Sequence, residues 1–373
     1  RNFDRVAVSF SSDEGKTWSK PAPIAVEGME AGLARPFDPT LVADQPVLPR
    51  DQARLLVLDR GTGERWHRRV TDLPRLLRPG DLVIVNDTKV MPARVPVRVA
   101  STGKATELLF VEDLGDGVWT ILIKGRLRPG SVLEFPSGGR GEIVERSQDR
   151  TTLRMTGPDD VSDLMHRAGT MPLPPYIKRS PTPDDLTWYQ TIFARSEGAI
   201  AAPTAGLHFT DELMRGLASS GIDVTNVTLH VGPGTFRPVT VERIADHRMG
   251  AERVQVSAQA VEAVERARAT GGRVIAVGTT VVRALESAAC ATGRLKPFDG
   301  PTELFISPGF PFRVVDALLA NFHLPRTPLL MLVSALVGVE RLREAYREAV
   351  AERYRFYSYG DAMLIGDGWQ RPT

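Results

Sequence analysis

Cysteine is nearly absent. Cys290 is the one cysteine in 373 residues, which excludes a disulfide framework and a Cys-x-x-Cys metal site and fits a reducing compartment. It reads as a small apolar residue on a helix. Histidine is sparse too: six residues, with no His-x-x-x-His pair, so no metal is expected. Neither sign of charge dominates. The 47 Lys and Arg against 45 Asp and Glu give a net charge of +2, too little to argue for nucleic acid alone. The most apolar run, PLLMLVSALVG at 328–338, is too short to span a bilayer, and no secretory leader opens the chain. The Gly-x-Ser-x-Gly elbow of hydrolases, the P-loop and the six-residue dinucleotide fingerprint are all missing.

What remains is an ordinary globular composition, 42% hydrophobic and 25% charged, on a chain long enough for about two domains. The stretches LVIVND (82–87), VPVRVA (95–100), ELLFVED (107–113), WTILIKG (119–125) and SVLEF (131–135) are separated by Gly, Pro and Asp turns. That spacing predicts a small antiparallel barrel or sandwich. From about 186 helices alternate with strands. Thr210 caps DELMRGLASS, Ser257 starts AQAVEAVERARAT, RVIAVG is a buried strand, and Thr279 or Thr280 caps VVRALESAAC. RDQARLLVLDR reads as a further strand, RLREAYREAVAERY as a charged amphipathic helix, and AMLI as a last strand. The expected fold class is α/β: a mostly parallel α/β domain with an inserted small antiparallel β-barrel domain. The barrel is placed at 76–155, the α/β domain at 41–75 and 156–373, and an atypical extension at 1–40.

Four clusters hold residues that folding alone does not require. AAPTAGLHFT (201–210) is a small-residue loop entering a helix, with Thr204, Gly206, His208, Phe209 and Thr210. Its N–H groups suit an anion, and His208 and Phe209 offer a proton carrier and a stacking face. LHVGPGTFRPV (229–239) puts His230, Gly232, Gly234, Thr235, Phe236 and Arg237 after a strand, where ligands of open α/β sheets bind. VIAVGTTVVRALES (274–287) is strand, Gly-Thr-Thr, helix, with Thr279 and Thr280 as an anion cradle. In VVDALLANFHLPRTPLLMLVSALVG (314–338), Asn321, Phe322 and His323 interrupt an apolar helix pattern and need polar partners. Each cluster also has an ordinary structural reading as a tight loop, a helix cap or a satisfied core histidine. Composition and spacing reach an α/β enzyme with anion-binding loops and do not name its reaction.

In order along the chain, RDQARLLVLDR, LRPGDLVIVNDTKVMPARV, MPLPPYIKR, GAIAAPTAGLHFT, LHVGPGTFRPV, AVGTTVVRALE, VVDALLANFHLPRTPLLMLVSA and YRFYSYGDAML resemble the S-adenosylmethionine:tRNA ribosyltransferase-isomerase family of queuosine biosynthesis, from about 41 to 366. The resemblance implies transfer and isomerisation of the ribosyl part of S-adenosylmethionine onto 7-aminomethyl-7-deazaguanine at the wobble position of a tRNA with a GUN-type anticodon. Epoxyqueuosine-tRNA forms, and adenine and methionine are released. S-adenosylmethionine is then a consumed co-substrate, with no cofactor and no metal, and the enzyme is expected to be a cytoplasmic monomer without membrane contact. The implied chemistry needs a base, an acid near adenine, and clamps on ribose and the methionine carboxylate. His208 or His323 would move protons, and Asp87 is a further candidate base. Thr279, Thr280 and Arg237 would hold anionic groups, Phe209 or Phe236 would stack on a base, and Asn86, Asp87, Thr88 and Arg94 would face the site from the barrel side. Arg65, Arg68, Arg69, Lys178 and Arg179 are candidate tRNA phosphate contacts. Gly250 stands where the family pattern after DHRMG usually has a second histidine. The rival readings are a non-catalytic tRNA-binding protein and a glycoside hydrolase fragment. The second comes from SSDEGKTWSK (11–20), which resembles a sialidase Asp box, although a propeller would need several such repeats. Residues 1 to about 34 are expected to pack poorly on the rest.

Overall fold

The computed structural model describes residues 41–370 except 126, 137, 148–149, 158–159, 233–248, 291 and 324–326, together with an antiparallel pair of two-residue strands, Ala7–Val8 and Ala22–Pro23. The Asp-box-like stretch and most of the extension lie outside the described residues.

A nine-stranded sheet forms the body. At its centre Asp223–Leu229, Leu82–Asn86, Val274–Val277 and Ala317–Asn321 run side by side in parallel. Beyond Ala317–Asn321 come antiparallel Ala362–Gly366, then Arg54–Asp59 parallel to it, and Arg65–Arg69 at the edge. Beyond Asp223–Leu229 come Glu252–Val256 and Phe298–Thr302, both antiparallel. Leu82–Asn86, Val274–Val277 and Ala317–Asn321 are buried along their whole length and read as mainly apolar runs because both faces are covered. Leu82 and Ile84 join the cluster beneath the helices Ala258–Ala269, Thr279–Cys290, Pro328–Val337 and Val339–Ala351. Val83 and Val85 face the opposite cluster with Leu213 and Leu217 of the helix Asp211–Ser219.

The second unit is a closed barrel of Arg94–Val99, Ala105–Asp113, Val118–Ile123, Thr151–Thr156, Arg140–Arg146 and Val132–Glu134. Alternate residues Val95, Val97 and Val99 point inward with Leu108, Phe110, Ile121 and Leu133, the period-two signature of a strand with one wet face. The chain crosses between sheet and barrel through a parallel ribbon, Thr88–Val90 against Ser196–Ala199. At the neck, Arg94 and Thr170 exchange backbone hydrogen bonds at 3.3 and 2.8 Å.

Two expectations need correction. LVIVND was grouped with the barrel, but Leu82–Asn86 is the middle of the large sheet, and barrel pairing begins at Arg94. An apolar strand covered on both faces and a barrel strand both satisfy a short hydrophobic run. The segment before His323 was read as helix. It is the buried strand Ala317–Asn321, and helix resumes only at Pro328, capped by Thr327 Oγ1 accepting from Leu330 N at 3.2 Å. The caps at Thr210 and Ser257 form as expected, each hydroxyl accepting an N–H three residues on at 3.1 Å.

Candidate active site

The parallel strands end, at their carboxyl side, on a cleft lined by 202–205, Val231, Gly278, Thr279, Thr280, Ala320, Asn321, His323 and Leu329. Each wall follows from local structure. Gly278 turns strand into helix at φ +94, a conformation a side chain rarely adopts. Thr279 and Thr280 therefore occupy the first turn of their own helix, inside it rather than before it, while the N–H groups of Val281 and Val282 close that turn on the Gly278 carbonyl at 3.1 and 3.4 Å. Thr204 begins the short 3-10 helix Thr204–His208. Asn321 ends its strand, donating through Nδ2 to the carbonyls of Tyr357 at 3.0 Å and Ser358 at 3.4 Å, while its Oδ1 is buried without a partner among the described residues.

His323 follows two residues later. Its backbone N–H donates to Tyr346 Oη at 2.9 Å, and that hydroxyl donates to the His323 carbonyl at 3.1 Å. The backbone is thus fixed while the ring's Nε2 is buried with no partner among the described residues. Burial pushes the imidazole pKa down to about 4, so at neutral pH it is an uncharged base.

The remaining expected residues fall into three groups. Asn86 and Thr88 brace the site from below. Asn86 Nδ2 donates to Leu229 O at 2.9 Å and to Thr280 Oγ1 at 3.3 Å, and its Oδ1 accepts from the N–H groups of Leu229 and Thr88, both at 3.1 Å. Thr88 Oγ1 lies 2.8 Å from His230 Nδ1, and burial lowers the His230 pKa. Gly232 is held by its N–H to Glu252 Oε1 at 2.9 Å. That carboxylate also pairs with Arg283, on the helix that carries Thr279 and Thr280.

A second group lies away from the cleft, most of it engaged in packing or hydrogen bonds of its own. The Asp87 carboxylate accepts from Asn226 Nδ2 at 2.7 Å and Thr228 Oγ1 at 2.6 Å, so both oxygens are engaged within the sheet. Phe209 is 1% exposed in the core, edge-on to Phe193 at 5.3 Å, with no face left for a base. Thr210 is a helix cap that also donates to Asp51 Oδ2 at 2.5 Å. Gly206 packs where a Cβ would come 3.1 Å from Thr191. Arg94 ties the barrel to the Leu173 carbonyl at 3.0 Å. Arg65 holds Glu348 at 2.5 Å and Glu344 at 3.1 Å, Arg69 donates to Gln52 O at 2.7 Å, and Arg179 grips fully buried Asp185 with two bonds of 2.7 Å. Arg68 donates to the neighbouring His67 carbonyl at 2.8 Å, and Lys178 is exposed.

The third group, Gly234, Thr235, Phe236 and Arg237, lies outside the described residues, as does the DHR of the motif before Gly250.

His208 is displaced from the cleft into a small neighbouring chamber, which it shares with Pro46, Val47, Arg50, Ala53, Leu207, Arg355 and 358–360. Burial lowers its pKa to about 4, opposed by a hydrogen bond to the Arg50 backbone. Arg50, Arg355 and Glu252 carried no assigned role in the sequence, although the first two sit in or beside quoted motifs. Among the described residues no three or more His, Cys, Asp or Glu gather to hold a metal, and no helix is long and apolar enough to cross a membrane.

Residues 36–365 match the family described as "Queuosine biosynthesis protein". The S-adenosylmethionine:tRNA ribosyltransferase-isomerase of Synechococcus elongatus is 52% identical over 338 residues, spanning 88% of this chain and 93% of that protein. The one from Acidithiobacillus ferrooxidans is 51% identical, spanning 87% and 94%. A solved S-adenosylmethionine tRNA ribosyltransferase from Thermotoga maritima matches with a TM-score of 0.50 and 36% identity, over 88% of this chain and 98% of that one.

Proposed function

The chain belongs to the queuosine biosynthesis family of S-adenosylmethionine:tRNA ribosyltransferase-isomerases, and from that membership we propose how its cleft performs the reaction. The enzyme transfers and isomerises the ribosyl moiety of S-adenosylmethionine onto 7-aminomethyl-7-deazaguanine in tRNA, giving epoxyqueuosine and releasing adenine and methionine. The tRNA carries a GUN-type anticodon with the precursor at the wobble position. The enzyme works as a cytoplasmic monomer, and S-adenosylmethionine is consumed with no further cofactor.

The observation that supports this use of the cleft is the convergence of Thr204, Thr279, Thr280, Asn321 and His323 at the carboxyl ends of the parallel strands. The sulfonium acidifies the C5′ hydrogens of the ribose. The uncharged His323 imidazole takes one of them, C4′=C5′ forms as the C4′–O4′ bond breaks, and the freed oxygen becomes a carbonyl at C1′ as adenine departs with the C1′–N bonding pair. The precursor's amine then adds to C4′ of the unsaturated sulfonium, the resulting ylide carbon C5′ attacks the C1′ carbonyl to close the five-membered ring, and the alkoxide so formed displaces methionine from C5′ to give the epoxide. Thr279, Thr280 and their helix N-terminus orient the ribose oxygens. Asn321 Oδ1 accepts from a substrate N–H or O–H. Holding these partners together removes the entropic cost of a bimolecular encounter, and a general base positioned on the reacting C–H adds about 10²- to 10⁴-fold.

The test is adenine release by the purified protein, with S-adenosylmethionine and tRNA carrying the precursor. Release that requires that tRNA is expected. Silence under conditions where the Synechococcus relative turns over would sink the reading.

A further inference from the structure

The chamber that holds His208 has no part in the reaction as described, yet it is built for a ligand. It shares two walls with the cleft. The 3-10 helix Thr204–His208 presents Thr204 and Ala205 to the cleft, and Leu207 and His208 to the chamber. Asn321 lines the cleft, and its amide is bonded to the carbonyls of Tyr357 and Ser358, the latter a chamber residue. Tyr357 has φ +71, a conformation unfavourable for a bulky side chain.

Two guanidiniums line the chamber. Arg50 donates to the Gln190 carbonyl at 2.8 Å and forms no ion pair among the described residues, so its charge is partly desolvated without a counter-ion. Arg355 donates to the carbonyls of Tyr359 at 3.0 Å and Gln45 at 3.3 Å. Its nearest carboxylate, Asp361 at 3.8 Å, is already engaged by the backbone N–H groups of Arg54 at 3.0 Å and Arg355 at 2.8 Å. Two cations thus face a small space with little to neutralise them. Near them, His208 is 4% exposed, and its ring meets the Asn321 side chain, with neither Nε2 nor Asn321 Oδ1 given a well-formed hydrogen bond among the described residues. With the other ring nitrogen given to the Arg50 carbonyl, Nε2 is an acceptor facing a second acceptor. Cationic donors together with a pair of acceptors that cannot satisfy each other complement a zwitterion.

We propose that this chamber binds the α-amino-acid end of S-adenosylmethionine, its carboxylate against Arg50 and Arg355 and its ammonium donating to His208 Nε2 and Asn321 Oδ1. This rests on the reading of the neighbouring cleft as the site of ribosyl transfer. The shared walls let one molecule occupy both spaces, with ribose and sulfonium under His323 and the amino-acid tail behind Asn321. His208 is then a binding residue for the tail rather than a proton carrier.

The experiment is steady-state adenine release at saturating precursor tRNA, with decarboxylated S-adenosylmethionine and 5′-methylthioadenosine as competitors. The wild-type enzyme should favour S-adenosylmethionine over the decarboxylated compound by about 10- to 100-fold. Arg50→Met should raise KM for S-adenosylmethionine by a similar factor and erase that preference. It should leave kcat and inhibition by 5′-methylthioadenosine within about threefold, which also reports an intact fold. Should Arg50→Met not fold, Arg50→Lys serves. It keeps the charge without the planar fork, and KM should rise about threefold to tenfold. A preference that survives Arg50→Met, or a KM for S-adenosylmethionine unmoved by Arg50→Lys, overturns the chamber assignment. So does a raised KM for tRNA with that for S-adenosylmethionine unchanged, which would make the bound anion an RNA phosphate. A wild-type enzyme that releases no adenine fails the underlying reading instead, and the two failures are distinct.

Discussion

Asn86 Nδ2 lies 2.9 Å from the carbonyl of Leu229 and 3.3 Å from Thr280 Oγ1. One amide at the end of a central strand therefore sets the height of the neighbouring strand and of the helix start that borders the cleft. Asn86→Asp retains an acceptor for the Leu229 and Thr88 N–H groups but turns an oxygen toward the Leu229 carbonyl. A loss of about 2 kcal/mol in urea unfolding is expected, since a buried carbonyl loses its donor. A drop of at least tenfold in kcat/KM for adenine release should accompany it. Wild-type values for both would show that the amide braces nothing.

Asp87 and His323 separate cleanly. With both Asp87 oxygens held by Asn226 and Thr228, Asp87→Asn should lower the melting temperature while leaving kcat within about tenfold. His323→Ala should lower kcat by about 10²-fold or more. A larger kcat loss for Asp87→Asn than for His323→Ala reverses the assignment of the base.

Lys178 and Arg179 are adjacent, and their roles diverge. Arg179→Met leaves buried Asp185 with Tyr359 and Thr182 as partners but no cation, which should cost about 3 kcal/mol of stability. The salt dependence of tRNA binding should be unchanged. Lys178→Met should leave stability alone and lower the slope of log affinity against log salt by about one. An unchanged slope removes Lys178 from the tRNA surface.

The two buried imidazoles make folding acid-sensitive. His208 and His323 are pushed by burial from the ordinary imidazole value of 6.5 down to about 4. Between those values the unfolded chain binds the protons that the folded chain refuses, so stability rises with pH across this window and levels off above it. Melting temperatures from pH 4 to 7 should fall towards acid, and His323→Gln should flatten part of that fall. Parallel curves for the two proteins would contradict the burial effect.

What the sequence made legible was mostly local. Thr210 and Ser257 were readable as caps because a cap is a bond between a hydroxyl and an N–H three residues away. Thr279, Thr280 and Thr204 were readable as cleft residues because small residues at strand ends have few other uses. The strand Leu82–Asn86 is not placed by its sequence, because a run of four apolar residues does not say how many faces are covered. The stretch to Asn321 was misread because helix and strand share that signature. The partners that disqualify Asp87 and Phe209, and the conjunction of Arg50 with Arg355, join segments far apart in the chain, and no spacing rule reaches across them.

The neck between Arg94 and Thr170 has a consequence for the history of the fold. An insertion whose first and last residues are backbone partners presents its two ends at one point, so the host sheet need not stretch to receive it. Closing so short a gap costs little entropy. The barrel is therefore a cassette. Its outer surface can change without moving Leu82–Asn86 and the strands beside it, which keep the cleft in register.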